Sequence, residues 1–252
     1  MAAADDRWLP PARRSGQGPA LVCFAPAGAG AGFFRDWGEH LDGFRLMPVQ
    51  LPGREERFGE APLDDAVRIA REVARSIVAA QARPPYLLGY SYGALLAFET
   101  AHALEAAGLM PAGLVACARA APQATARPSV ADEGDEALLD CVGALGGLPE
   151  ELLKDRELTE LILPALRADF RANDGYAAPP GRSIAAPVTV IAGQDDGRVA
   201  ATAEEQPDID WRRRTRGAFV AQEVPGGHFF VLDNPGPGFA AIRNALALEA
   251  AA

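Results

Sequence analysis

A serine with a glycine two residues to either side, Gly89-Tyr90-Ser91-Tyr92-Gly93, constrains this chain more than any other stretch. The G-x-S-x-G spacing suits a sharp turn between a strand and a helix. The serine takes a strained backbone conformation there, and the glycines remove the Cβ atoms that would collide where strand and helix close together. A glycine-rich chain can reach this spacing by accident, so the flanks decide. Pro85–Gly89 is a short apolar run behind a double proline, as a buried strand should be. Ala94–Ala107 is rich in helix formers and stops at Gly108. Strand, turn and helix stand in the required order, which makes Ser91 a candidate nucleophile.

With 252 residues, 49% of them hydrophobic, the chain can build one sizeable α/β domain with an insertion but not two ample cores. The expected organisation is a flexible N-terminal arm over residues 1–18 and a single domain over 19–252. Met1–Arg14 has acidic residues where a signal peptide wants bases, and no long apolar run follows anywhere, so a soluble cytoplasmic protein is expected. A formal net charge of −10 argues against nonspecific binding to nucleic acid or to anionic membrane. Cys23, Cys117 and Cys141 are odd in number, far apart and without C-x-x-C spacing. That pattern suggests neither disulfides nor a zinc site, and small buried hydrophobes are expected instead.

Apolar strand-like runs fall at Ala20–Ala25, Phe44–Gln50, Tyr86–Gly89, Gly113–Ala118, Val188–Ala192 and Phe219–Val224. They are mostly continuous rather than alternating, as in strands covered on both faces. Helical patterns such as Leu63–Ala82 and Gly238–Ala251 lie between or after them. Strands alternating with helices predict a mostly parallel central sheet flanked by helices. Residues 123–184 break that rhythm with mainly helical patterns, Ala137–Leu145 and Leu158–Leu166, and read as a helical lid insertion. Leu158, Ile162, Leu166 and Phe170 step by four and are expected to line one face, which could shape an acyl-binding channel.

A serine hydroxyl is a poor nucleophile at neutral pH and needs a base, an acid to orient that base, and donors for the oxyanion formed on attack. Of His40, His102 and His228, the chain order of this kind of site leaves the last two. His102 lies eleven residues along the helix that starts at the turn, about 16 Å away at 1.5 Å per residue. His228, in the glycine-led loop Val224–Phe230 just past a strand, is therefore the candidate base. The acid should follow a strand between Ser91 and His228, where Asp195 and Asp196 both qualify and spacing does not choose. Candidate oxyanion donors are the backbone N–H of Tyr92 and one from Ala27 or Gly28 in the small-residue loop Phe24–Gly32. That loop lacks the lysine and the glycine spacing of phosphate-binding loops.

Taken together these residues resemble the type II thioesterases that accompany polyketide synthases and nonribosomal peptide synthetases. The likeness spans almost the whole chain. It rests on Phe24–Gly28, on Gln50-Leu51-Pro52-Gly53-Arg54-Glu55-Glu56-Arg57, on the serine turn, on Leu163–Phe170 and on Pro225–Phe230. The resemblance implies an α/β-hydrolase fold with Ser91 as the acyl carrier, His228 as the base, and the amides of Ala27 and Tyr92 as the oxyanion hole. Laying the family's Gly-Asp-x-Asp-Pro on Gly193–Gly197 implies Asp196 as the acid, with Gln194 and Gly197 as departures. Gly28, Tyr90, Leu166, Phe170 and Phe229 are implied to touch substrate. The family's usual Gly-His-Ser-Met-Gly reads Gly-Tyr-Ser-Tyr-Gly here, so chain-length preference is not carried over.

The implied reaction is hydrolysis of acyl thioesters from the phosphopantetheine arm of a carrier protein, by a stand-alone enzyme that needs no cofactor or metal and is expected to be monomeric. Carrier proteins are usually acidic, and the densest candidate for a basic docking patch is Arg212–Arg216. The competing readings are a chain-releasing enzyme that cyclises its product, a non-catalytic carrier-binding module, and an esterase of oxygen esters.

Overall fold

A computed structural model describes residues 7–80, 83–123, 125–148, 151, 154–197 and 210–250. Six strands form one sheet: β1 (Ala20–Phe24), β2 (Arg45–Pro48), β3 (Tyr86–Tyr90), β4 (Gly113–Cys117), β5 (Val188–Gly193) and β6 (Phe219–Val224). Their spatial order is β2-β1-β3-β4-β5-β6, and every neighbouring pair is parallel. Each strand was legible as an apolar run, with ends that moved by two residues at most.

The two faces of the sheet follow the period of two in strand side chains. Val22 and Phe24 of β1 face one core with Leu87, Leu114 and Val190, under α1 (Ala66–Ala80) and α2 (Tyr92–Ala106). Leu21 and Cys23 face the other with Leu88, Val115, Cys117 and Ile191, under the C-terminal α6 (Pro235–Ala250). Helix α1 turns Ile69, Ala70, Val73, Ala74 and Ile77 inward, the stripe that its 3.6-residue period predicts.

Residues 7–18 are not the flexible arm that their composition suggested. Trp8 and Leu9 are buried in the first core, the carbonyl of Trp8 accepts from the Gln50 amide at 3.0 Å, and the Arg57 guanidinium lies 4.5 Å over the Trp8 ring. Burial of one large aromatic stabilises by a few kcal/mol and anchors the segment at that point. Residues 1–6 lie outside the described residues.

Between β4 and β5 stand α3 (Asp135–Leu145) and α4 (Arg156–Asp174), with a small hydrophobic cluster of their own: Ala131, Leu138, Val142, Leu163 and Leu166. This lid covers the C-terminal edge of the sheet. A short helix, α5 (Phe230–Asp233), precedes α6.

Candidate active site

Ser91 sits between β3 and α2 with φ 53° and ψ −119°, a conformation that non-glycine residues seldom adopt. Its neighbours leave it no alternative. The Ser91 amide donates to the Cys117 carbonyl of β4 at 2.8 Å, and the Ser91 carbonyl accepts from Ala94 at 2.9 Å. A Cβ on Gly89 would come within 2.3 Å of the Gly93 carbonyl oxygen, and one on Gly93 within 2.1 Å of the Phe24 carbonyl oxygen. The two glycines thus let α2 start directly on top of β1 and β3, which pushes the serine side chain outward.

His228 Nε2 lies 2.9 Å from Ser91 Oγ, and His228 Nδ1 lies 2.7 Å from Asp196 Oδ2. Three loops meet to make this chain. The acid loop after β5 is laced to the histidine loop after β6 through Gln194 N–H to the Val224 carbonyl (2.8 Å) and Asp195 N–H to the Gly226 carbonyl (3.0 Å). Gly193 permits the approach, because a Cβ there would meet the Gly227 carbonyl oxygen at 2.1 Å. Asp233 closes the histidine loop from the other side by accepting from Gly227 N–H at 2.9 Å. Asp196 is 7% exposed while Asp195 faces solvent, so the choice that spacing left open falls to burial. The departures at Gln194 and Gly197 leave this geometry untouched, since both positions act through backbone. His102 instead meets Arg182 at 2.9 Å on the far part of α2, and His40 stacks on Phe239.

The oxyanion candidates separate on their hydrogen bonds. Pro26–Ala29 forms a turn, Ala29 N–H to the Pro26 carbonyl at 3.1 Å, with Gly28 at φ 78°. The Gly28 amide is taken by Asp169 Oδ2 at 2.8 Å. Among the described residues the Ala27 amide meets no acceptor. The Tyr92 amide, at the first position of α2, has no partner within its own helix. Ala27, Ser91, Tyr92 and His228 all line one cavity of about 680 Å3. Preorganised donors of this kind can hold the charge that develops on a carbonyl oxygen as a hydroxyl attacks it, while the imidazole takes the proton and the buried carboxylate steadies the imidazolium.

The lid supplies the outer wall of that cavity through Val142, Leu145, Leu148, Ile162, Leu166 and Phe170. Leu158, expected on the same face, is 44% exposed and does not line it; it falls in the first turn of α4, where the helix projects beyond the cavity. Phe229 lines the cavity beside His228. The lining also has a polar part, Arg119, Gln123 and, on the lid helix α4 itself, Asn173. Arg119 was not singled out in the sequence. Its guanidinium donates to Asn173 Oδ1, and burial, with Arg127 adding to it, lowers its pKa to about 10.

Tyr90 is not a substrate contact. It is fully buried, its ring stacks on Phe229 with centroids 5.7 Å apart, and its hydroxyl donates to the His228 carbonyl at 2.8 Å. Residue 90 is the last of β3 and points into the second core, so its job is to hold the histidine loop. Tyr90→Phe should keep the fold and lower kcat about fivefold, the equivalent of one net hydrogen bond of about 1 kcal/mol. Steady-state kinetics on an acyl thioester checks this; an unchanged kcat means that the loop is held by its other contacts. Tyr92 is 2% exposed and also borders the cavity, with no hydrogen-bond partner for its hydroxyl among the described residues.

In the arginine cluster, Arg212, Arg213 and Arg216 are exposed and Arg214 is buried. Arg214 is 9% exposed, Arg216 is tied to Ser183 and Glu105, and the Arg212 guanidinium lies 5.3 Å from the Phe219 ring.

Comparison with known proteins agrees with this geometry. Residues 19–245 match the family described as Thioesterase domain. The chain is 36% identical over 220 residues to "Thioesterase PikA5" of Streptomyces venezuelae, covering 84% of this chain and 75% of that protein. It is 34% identical over 212 residues to "Probable cadicidin biosynthesis thioesterase" of Streptomyces griseus, covering 84% of this chain but only 58% of that protein. Among solved structures it resembles the type II thioesterase BorB from the borrelidin biosynthetic cluster, with a TM-score of 0.81, 32% identity, and coverage of 93% and 96% of the two chains. Matched over most of its length by sequence and by fold, the chain belongs to the thioesterase family.

Proposed function

We propose that this protein is an editing, type II thioesterase that hydrolyses acyl groups from the phosphopantetheine arm of a carrier protein in a polyketide or nonribosomal peptide pathway. The observation that carries the reading is the relay from Asp196 through His228 to Ser91, opening into a cavity lined by apolar lid side chains together with a few polar ones. The apolar lid side chains suit an acyl chain, and Arg119, Gln123 and Asn173 suit the amides and hydroxyl of a pantetheine arm.

In this reading Ser91 Oγ attacks the thioester carbon as His228 Nε2 takes its proton, and the amides of Ala27 and Tyr92 receive the oxyanion. The C–S bond then breaks and the thiol leaves with the proton from His228. Water attacks the acyl-serine, with His228 as base, and the free acid departs. These side chains and water supply every step, so the reaction as proposed draws on no metal or cofactor. Leu166, Phe170 and Phe229 would contact the acyl chain, with Gly28 at the carbonyl end.

The test is a panel of acyl-carrier thioesters of varied length and branching, beside oxygen esters of the same acids. Faster release of free acid from the thioesters is expected. Preference for the oxygen esters overturns the reading, and a product lighter by one water would mark cyclisation instead.

A further inference from the structure

Two sequence blocks, Gln50–Arg57 and Leu163–Phe170, stand far apart in the chain and have no part in the proton relay. They meet in a buried ion pair. Arg54 Nη1 lies 2.5 Å from Asp169 Oδ2 and Nη2 lies 2.9 Å from Oδ1, with Asp169 fully buried on α4 of the lid and Arg54 6% exposed. Burial opposes the charge on Arg54, but the facing carboxylate outweighs it and raises the guanidinium pKa above its ordinary value.

The pair does more than join lid to body. Asp169 Oδ2 also accepts the Gly28 amide at 2.8 Å, and Arg54 Nη1 also donates to the Ala29 carbonyl at 3.2 Å. Gln50 Oε1 accepts from Ala31 N–H at 3.2 Å while its amide nitrogen donates to the Arg54 carbonyl at 3.0 Å. The loop after β1 is therefore gripped on the peptides that follow Ala27, while the Ala27 N–H has no acceptor among the described residues and Ala27 itself lines the cavity. Leu166, one turn before Asp169 on the same helix, packs against Gly28, where a Cβ would meet its Cδ1 at 2.8 Å.

We propose that Asp169, held by Arg54, is a positioning residue that fixes the oxyanion loop from the lid, so that Ala27 presents its amide to the thioester oxygen. This rests on the acyl-serine reading above. An oxyanion donor acts in the transition state, so the proposal assigns the pair to kcat. A lid contact that only shaped the cavity wall would show in KM.

The main test is the double variant Arg54→Met/Asp169→Leu, because replacing both members of a buried ion pair by apolar residues of similar volume is often tolerated, whereas removing one strands a charge. In folded protein, kcat should fall by roughly ten- to a hundredfold with KM within about twofold. Affinity for a pantetheine-linked acyl trifluoromethyl ketone, which forms a tetrahedral adduct on the serine, should fall by the same factor. Arg54→Lys keeps the charge and loses the two-pronged grip, and should show the same pattern at about tenfold. Asp169→Asn, which retains an acceptor for the Gly28 amide, should keep more kcat than Asp169→Leu. A folded double variant or Arg54→Lys variant with kcat and ketone affinity both within twofold of the parent overturns the proposal. Ser91→Ala is measured alongside: turnover surviving there sinks the acyl-serine reading itself, whatever the pair does.

Discussion

Ser91→Ala should abolish thioester hydrolysis, lowering kcat by about four orders of magnitude or more, while the protein stays folded. Among the described residues the hydroxyl makes one hydrogen bond, the 2.9 Å contact with His228 Nε2. The strain at φ 53° belongs to the backbone and is held by the Cys117 carbonyl and by α2, so alanine inherits it unchanged. Residual activity would come from the oxyanion amides and binding alone. Two measurements separate chemistry from folding: thermal unfolding, which should be little altered, and intact-protein mass with a slow substrate. The parent should gain the mass of the acyl group and the variant should not. Undiminished turnover would remove Ser91 from the mechanism.

Asp196→Asn should lower kcat by about ten-thousandfold, against a change of about twofold or less for Asp195→Asn. The carboxylate at Asp196 is buried 2.7 Å from His228 Nδ1, where it fixes the tautomer that leaves Nε2 free to accept the serine proton. An asparagine there can present its N–H2 to the ring and favour the wrong tautomer, and it removes the charge that steadies the imidazolium. Asp195 is exposed, and its backbone N–H already serves the Gly226 carbonyl. Steady-state kinetics on both variants decides the matter, and the reverse order of effects moves the acid back by one residue.

Much of the site was legible because local chemistry leaves few options. Gly89 and Gly93 are required by carbonyl oxygens that would lie about 2 Å from any Cβ, a constraint written into the pentapeptide itself. His228 could be chosen by elimination, since His102 is carried along α2 by the rise of the helix. Strands β1, β3, β4 and β5 could be read because both their faces are covered, which leaves unbroken apolar runs; β6 at the sheet edge is only half-buried.

Other features depend on contacts between segments far apart in the chain. Asp195 and Asp196 differ only in which one turns inward, and that is set by the lacing of the β5 and β6 loops. Tyr90 looked like a substrate contact by its place next to Ser91, but strand alternation sends its side chain to the opposite side, under His228. Residues 7–18 read as part of an arm, yet Trp8 and Leu9 are buried in the first core, with Arg57 over the Trp8 ring. Leu158 kept the four-residue step of its helix but lies past the end of the surface that the helix covers.

By itself the sequence determined the parallel sheet, the serine turn and the candidate base, because each follows from short-range periodicity, steric exclusion or helix rise. Only the tertiary structure shows which of the adjacent aspartates, placed at Asp196 by resemblance alone, meets His228, that the Ala27 amide has no acceptor among the described residues, and that Arg54 joins Asp169. The physical reason is that a hydrogen bond between residues 115 positions apart has no local signature; it exists only once the lid and the body have packed and shut water out.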